Sequence, residues 1–213
     1  MEKLEYTTIE KSFQYEIPKI KGSRFFATLI PVQTREEIDE KLENVRKTYF
    51  DATHNCYAWR LWVDANQDLF WNWVISAHQE RANDDWEPSN TAWKPILSVL
   101  TWKDVHNILC VVTRYFWGTL LWVWWLIQAY TECSKQALEN VPFVTREITK
   151  RLHLCYTYDQ VSGVQYCYSK FWAKVVSDHY DNSIEQDIEV NIALVDAFLK
   201  EMVERQIQCK LID

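Results

Sequence analysis

Residues 113–130 read TRYFWGTLLWVWWLIQAY. The apolar run Ile108–Val112 lies just before this stretch, and a segment of helical composition follows it, so the stretch is a strand-to-helix connection. Such connections favour glycine, which reaches positive φ without steric cost. Here Trp117, Trp122, Trp124 and Trp125 occupy it instead, with Gly118 among them. The whole chain holds 3 glycines and 12 tryptophans, whereas glycine averages about 7% of residues in soluble proteins. Placing glycine at Trp62, Trp71, Trp73, Trp86, Trp93, Trp102, Trp117, Trp122, Trp124, Trp125 and Trp172 would raise glycine from 3 to 14 and leave only Trp59.

The remaining composition is that of a globular protein, 48% hydrophobic and 25% charged over 213 residues, enough for one or two domains with a real core. Net charge is −7, so broad binding to a phosphate backbone is excluded and any RNA contact must be local. The six cysteines form no C-x-x-C pair and several sit in apolar runs, which predicts reduced core thiols and a cytoplasmic protein. The N-terminal MEKLEYTTIEKSF has no apolar signal core. Tyr115–Ala129 is apolar but shorter than the roughly 18 residues of a membrane span. No membrane and no DNA partner is expected.

Outward from the central stretch, periodicity gives the elements. Strands are expected at 13–20 and 24–32 around the turn Lys21-Gly22-Ser23. Thr34 to Glu37 is a capping box for a helix ending near Tyr49, with Ile38, Leu42 and Val45 at helical spacing. A strand follows at 55–63, a polar loop at 64–68, an extended segment at 69–76 and a polar loop at 77–93. Ser89 is the expected N-cap of a short helix at 91–100, Trp102-Lys103-Asp104 a turn, 107–114 a buried strand and 124–140 a helix. Pro142 breaks the chain, which predicts domains at 1–142 and 143–213. In the second, Leu152, Leu154 and Tyr156 alternate with polar neighbours. A helix capped by Asp159 runs to Phe171, strands follow at 173–179 and 184–192, then a helix at 194–205 and a strand at 208–212. The order βαββαβ is ferredoxin-like. It requires Ile184, Ile188 and Val190 to face the helices and Glu185, Asp187 and Glu189 to face solvent.

Four blocks, KGSRFFA (21–27), DATHNCYAWR (51–60), ANDDWEPSNTAWKPIL (82–97) and VVTRYFWGTLLWVWWLIQAY (111–130), resemble the bacterial YigZ-type branch of the IMPACT family. Trp86, Trp93, Trp117, Trp122, Trp124 and Trp125 fall on family glycines. A gene that reads UGA as glycine, translated with UGA as tryptophan, gives this one-directional pattern; deliberate engineering is the alternative. Eleven such replacements would cost on the order of 10 kcal/mol, comparable with the whole stability of a domain, and predict a marginal chain. The resemblance implies an α+β protein: a ribosomal-protein-S5-domain-2-like first domain and a ferredoxin-like second one. Translocating elongation factors carry the same pair side by side, which implies a translation-linked role. Nothing corresponds to the extra N-terminal domain of eukaryotic members, so partners bound through that domain are not expected.

Candidate site residues come from these blocks. Asp84, Asp85 and Glu87 place three carboxylates within four residues, for a hydrated cation or, more simply, a solvated turn near a helix N-terminus. His54 and Cys56 share one side of a strand, but no further zinc ligands are spaced to join them, and His54 has no paired nucleophile. Arg114 enters the central connection, where it could hold a phosphate or a carboxylate, or pair with Asp84 or Asp85. Lys19, Lys21, Arg24 and Arg60 could form a small basic patch or a solvated face. The binding candidates are therefore His54, Arg60, Asp84, Asp85, Glu87, Lys94, Arg114, Tyr115 and Gly118, with no catalytic residue, metal ligand or cofactor assigned. The expected function is a translation-linked accessory or regulatory factor that binds RNA, the ribosome or a ribosome-associated protein. The alternatives are an enzyme acting on a phosphorylated small molecule or nucleotide in the first-domain cleft, and a plain protein-interaction module.

Overall fold

A computed structural model describes residues 4–62, 65–67, 73–75, 79–116, 118 and 120–212. The chain divides into two compact units, one built on Thr7–Asn66 and Val74–Thr145, the other on Arg146 onward with the N-terminal residues up to Tyr6. The elements in order are β1 (Glu5–Ile9), β2 (Phe13–Glu16), β3 (Arg24–Pro31), α1 (Arg35–Thr48), β4 (His54–Leu61), β5 (Ala65–Gln67), β6 (Trp73–Ile75), β7 (Gln79–Asn83), α2 (Trp93–Trp102), β8 (Ile108–Tyr115) and α3 (Val123–Asn140). They continue with β9 (Phe143–Glu147), β10 (Thr149–Tyr156), α4 (Val161–Phe171), β11 (Lys174–Tyr180), β12 (Ile184–Asn191), α5 (Val195–Glu204) and β13 (Gln208–Ile212). β1 pairs with β9, and β5 with β6.

The larger unit is a five-stranded sheet in the order β2-β3-β8-β4-β7, antiparallel throughout. β8 is buried on both faces, which is why its core ILCVV is continuously apolar. Cys110 and Val112 join the cluster under α2 and α3, including Ile96, Leu100, Ala129 and Tyr130. Leu109 and Val111 turn the other way, to Ile38, Leu42 and Val45 of α1. Thr34 caps α1 as expected, its hydroxyl accepting the Glu37 N–H at 3.2 Å, while the Glu37 carboxylate accepts from Gln33 N–H at 2.8 Å.

The smaller unit is an antiparallel sheet in the order β11-β12-β10-β13, the ferredoxin-like arrangement. Ile184, Ile188 and Val190 are buried with Val164 and Phe171 of α4 and Phe198 and Met202 of α5. Glu185 is exposed, and Asp187 and Glu189 are half-buried on the other side, facing His153 and Arg151 in register.

The structure departs from the sequence reading at several elements. The polar loop expected at 77–93 contains β7, an edge strand held to β4 by backbone pairing. Its polar side chains give no alternation to read. Within the loop expected at 64–68, Ala65–Gln67 is extended, as Trp73–Ile75 is; residues 68–72 lie outside the described residues. Helix α2 begins at Trp93, and Ser89 is not its cap. Asp159 does not cap α4; Thr157 and Gln160 form a capping box on a 3-10 turn that leads into it. β1 and β9 were not foreseen, because neither carries a periodic apolar pattern.

Candidate functional site

Register decides the site. His54 at the start of β4 lies opposite Arg114 at the end of β8, on the α2/α3 side of the sheet. Glu87, from the connection between β7 and α2, closes over both. Arg114 Nη1 donates to Glu87 Oε1 at 2.6 Å, and the two side chains are 5% and 2% exposed. Arg114 Nη2 is 3.4 Å from the Ser23 hydroxyl, and the guanidinium lies between the Phe25 and Phe116 rings. Tyr130 of α3 donates its hydroxyl to the same Glu87 oxygen at 2.8 Å. Burial first, then Cys56 and Glu87, holds the Tyr130 phenol protonated well above its ordinary range. Two acceptor sites of one carboxylate oxygen are thus filled by Arg114 and Tyr130, as a buried carboxylate requires.

The other two acids are fastened to backbone. Asp84 accepts the N–H groups of Asn90 at 2.7 Å, Ala92 at 3.0 Å and Trp93 at 2.9 Å. It caps α2 from a distance, in place of Ser89. Asp85 accepts the Asn55 N–H at 2.7 Å and lies 3.5 Å from Arg46. Among the described residues no group of three or more His, Cys, Asp or Glu side chains is arranged to hold a metal. The expected pairing of Arg114 with Asp84 or Asp85 is therefore corrected to Glu87, which is left for it because Asp84 serves N–H groups of the loop and the start of α2 and Asp85 serves the Asn55 N–H of β4.

His54 Nδ1 is 2.8 Å from the Asp85 carbonyl. A carbonyl only accepts, so Nδ1 carries the hydrogen, and in the neutral ring Nε2 presents its lone pair. Nε2 is 3.6 Å from Glu87 Oε1, too far for a hydrogen bond. Above it opens a cleft of about 320 Å³, with Thr53, His54, Glu87 and Arg114 at its polar end and Pro88, Phe116, Leu120, Leu121 and Leu126 around it. Trp86 stands at the rim, 96% exposed.

Of the sequence candidates, His54, Glu87 and Arg114 meet in this cleft, and Asp84 and Asp85 brace it from behind. Tyr115 points elsewhere: its hydroxyl donates to Asp51 at 2.8 Å, and it borders a neighbouring hollow with Arg24. Burial and then Asp51 raise its phenol above the ordinary value. Arg60 is buried away from the cleft, donating to Glu80 at 2.7 Å and to the Leu100 and Val105 carbonyls. Arg24 is committed to Glu16 at 2.9 Å, so no basic patch of Lys19, Lys21, Arg24 and Arg60 forms. Lys94 is exposed on α2 and does not line the cleft. Gly118 has φ +86 in open space on the central connection. Sequence reasoning missed Ser23, Thr53, Phe116 and Tyr130. All four lie inside the quoted blocks, and a buried hydroxyl of tyrosine needing a partner was the signal at Tyr130.

Comparisons with known proteins show the family. Residues 21–138, more than half the chain, match the Impact N-terminal domain. The chain belongs to the IMPACT family. The family member YvyE of Bacillus subtilis (strain 168) is 32% identical over 201 residues, 93% of this chain and 86% of its own. YigZ of Escherichia coli (strain K12) is 28% identical over 188 residues, 88% and 87% of the two chains. A crystal structure of a hypothetical protein, 26% identical, matches 100% of this chain and 99% of its own with a TM-score of 0.67. This IMPACT-family chain is therefore a mixed α+β protein with the family's N-terminal domain followed by a sheet-and-helix domain.

Proposed function

We propose that this IMPACT-family protein is a translation-linked accessory factor that binds RNA or a ribosome-associated component through the His54–Glu87–Arg114 cleft. One observation carries the reading. The four blocks that mark the family meet around Glu87: Ser23 from the first, Thr53 and His54 from the second, Glu87 from the third, Arg114 and Tyr130 from the fourth. The pairing of an S5-domain-2-like unit with a ferredoxin-like one supplies the link to translation by analogy of fold. In this reading the two domains are 1–142 and 143–213, and the protein works in the cytoplasm; among the described residues no helix is long and apolar enough to cross a membrane.

The enzyme reading loses its main support. A phosphate would need Arg114, but its charge is neutralised by Glu87 in a buried pair. Arg114→Ala is also a poor probe, since it would strand a buried carboxylate and cost about 3–5 kcal/mol of stability. Leu120, 84% exposed at the cleft mouth, is the better position. The protein should co-sediment with ribosomes or their subunits, and Leu120→Glu should weaken this about tenfold at unchanged melting temperature, the equivalent of about 1.4 kcal/mol. Absence of co-sedimentation, or indifference to Leu120→Glu, refutes the proposal.

A further inference from the structure

We propose that the cleft and the hollow beside it dock a segment of a protein partner, with one apolar side chain in the cleft and a nearby lysine or arginine over Asp51. This rests on the reading of the cleft as the binding surface and names the partner's chemistry. The cleft of about 320 Å³ shares Thr53 and Phe116 with a second hollow of about 350 Å³, which Arg24, Asp51 and Tyr115 complete. The charges that line the two hollows pair off, except one. Arg114 is held by Glu87 at 2.6 Å, and His54 Nε2 faces the same Glu87 oxygen at 3.6 Å. Arg24 is gripped by both oxygens of Glu16 at 2.9 Å. Asp51 accepts the Tyr115 hydroxyl at 2.8 Å and has no ion-pair partner among the described residues. One exposed carboxylate is left uncompensated beside an apolar cleft.

That arrangement selects among partners. A nucleic acid brings a negative charge with every phosphate and binds through free lysine or arginine. Neither hollow offers one among its described lining residues, and Asp51 would repel the backbone. A small molecule would fill the cleft but leave its surroundings bare: Leu120 at the mouth is 84% exposed and Trp86 at the rim 96%. A macromolecular partner covers pocket and rim together. Inside, Pro88, Phe116, Leu121 and Leu126 wall the cleft. Its volume suits one buried apolar anchor, the kind of contact that carries most of the energy of protein docking. A cation beside that anchor then meets Asp51, and a net charge of −7 favours a basic partner over the whole surface.

Charge reversal at Asp51 in the full chain gives a test with a sign. Asp51→Lys should weaken co-sedimentation with salt-washed ribosomes about tenfold, and Asp51→Asn, which keeps an acceptor for Tyr115, about threefold. Were RNA the occupant, Asp51→Lys would place a cation beside its phosphates and tighten binding. Tighter or unchanged binding overturns the proposal. Should Asp51→Lys fail to fold, Asp51→Asn carries the same sign. The second readout needs no ribosome. N-acetyl-leucyl-glycyl-lysinamide, whose leucine and lysine fall on one side of an extended chain, is titrated into the labelled protein. It should saturate and move the signals of Thr53, Phe116 and Leu126. Its counterpart with glutamate in place of lysine should bind about fivefold more weakly or worse, and Asp51→Asn should shrink that difference. No saturation, equal affinity for the two peptides, or tighter binding of oligouridylate overturns the proposal. N-acetyl-leucinamide binding as tightly as the lysine peptide would mean a small apolar ligand, and a dimer dissolved by Leu120→Glu would mean a second copy; either overturns it. A lysine preference without ribosome co-sedimentation sinks the translation reading alone. Co-sedimentation that Asp51→Lys strengthens sinks the protein partner alone.

Discussion

Two tryptophans carry backbone conformations that suit glycine. Trp86 has φ +70, and its indole is 96% exposed. Trp172 ends α4 with φ 52 and ψ 35, the left-handed position after a helix where glycine is usual. A side chain there costs about 1–2 kcal/mol, and at Trp86 almost no packing offsets it. Trp86→Gly should therefore stabilise the chain by about 1 kcal/mol and raise its Tm by about 2–4 °C. Trp172→Gly should gain less, since Trp172 is 52% exposed and keeps more packing than Trp86. Trp59 is the opposite case: it is 4% exposed in the core beside α1, and Trp59→Ala should cost about 3–5 kcal/mol. Thermal melts of the three variants check all of this, and a Trp86→Gly melt at or below the parent's would refute the strain. The expectation of strain at all eleven positions is too broad. Trp122 has φ −68 and is exposed, and Trp124 and Trp125 are helical, with rings edge-to-face at 5.0 Å. Trp71 and Trp117 lie outside the described residues. Among the described residues, positive φ at two of the suspect positions gives strain of about 2–4 kcal/mol. UGG codons at 86 and 172 would end the decoding explanation without touching this result.

At the scale of elements, α2 depends on a residue outside it. Its N-cap, Ala92, has no side-chain oxygen to offer, and the N–H groups of Ala92 and Trp93 go to the Asp84 carboxylate. The same carboxylate accepts from Asn90, so one side chain organises the turn and starts the helix. Asp84→Ala should cost at least the 1–2 kcal/mol of a lost cap, read as a lower urea midpoint at unchanged m-value. Asp84→Asn should recover part of it, because an amide oxygen also accepts; a silent Asp84→Ala would show that α2 holds itself. This explains which elements were legible. Helix α1 announces itself by Thr34 and Glu37 and by Ile38, Leu42 and Val45 at helical spacing, and β12 by strict alternation from Ile184 to Val190. Those signals are local. The cap of α2 comes from eight and nine residues back along the chain, and Ser89 looked right only because it was near. β7 escaped notice because an edge strand of Gln, Glu and Arg is held by backbone pairing, which sequence periodicity does not report.

Over the whole molecule, the site was legible as a set of residues but not as a set of bonds. His54, Glu87 and Arg114 were all candidates, yet the pairing of Arg114 with Glu87 depends on Asp84 and Asp85 being occupied elsewhere, and Tyr130 reaches Glu87 from a helix 43 residues on. Closure of the two cores can be read through the cysteines, all six of which are free thiols. Cys56, Cys110 and Cys133 are buried in the larger unit and Cys167 in the smaller. Burial pushes the Cys110 thiol up to about 12 and raises those of Cys56 and Cys133 as well. The half-buried Cys209 is likewise pushed up to about 12. Attack on a disulfide reagent requires the thiolate, so at pH 8 these groups should be silent until their unit opens. Cys155, half-buried on the open face of the smaller sheet, should react first and alone. Peptide mapping of the slow phase then gives two opening rates, Cys110 and Cys133 reporting the larger unit and Cys167 the smaller. Trp86→Gly should slow the first rate and Trp172→Gly the second, each in its own unit, if the strain at those residues is carried by the native state. Rapid labelling of all six thiols in native buffer would mean that the cores are not closed, and equal slowing of both rates by either substitution would mean that the two units open as one.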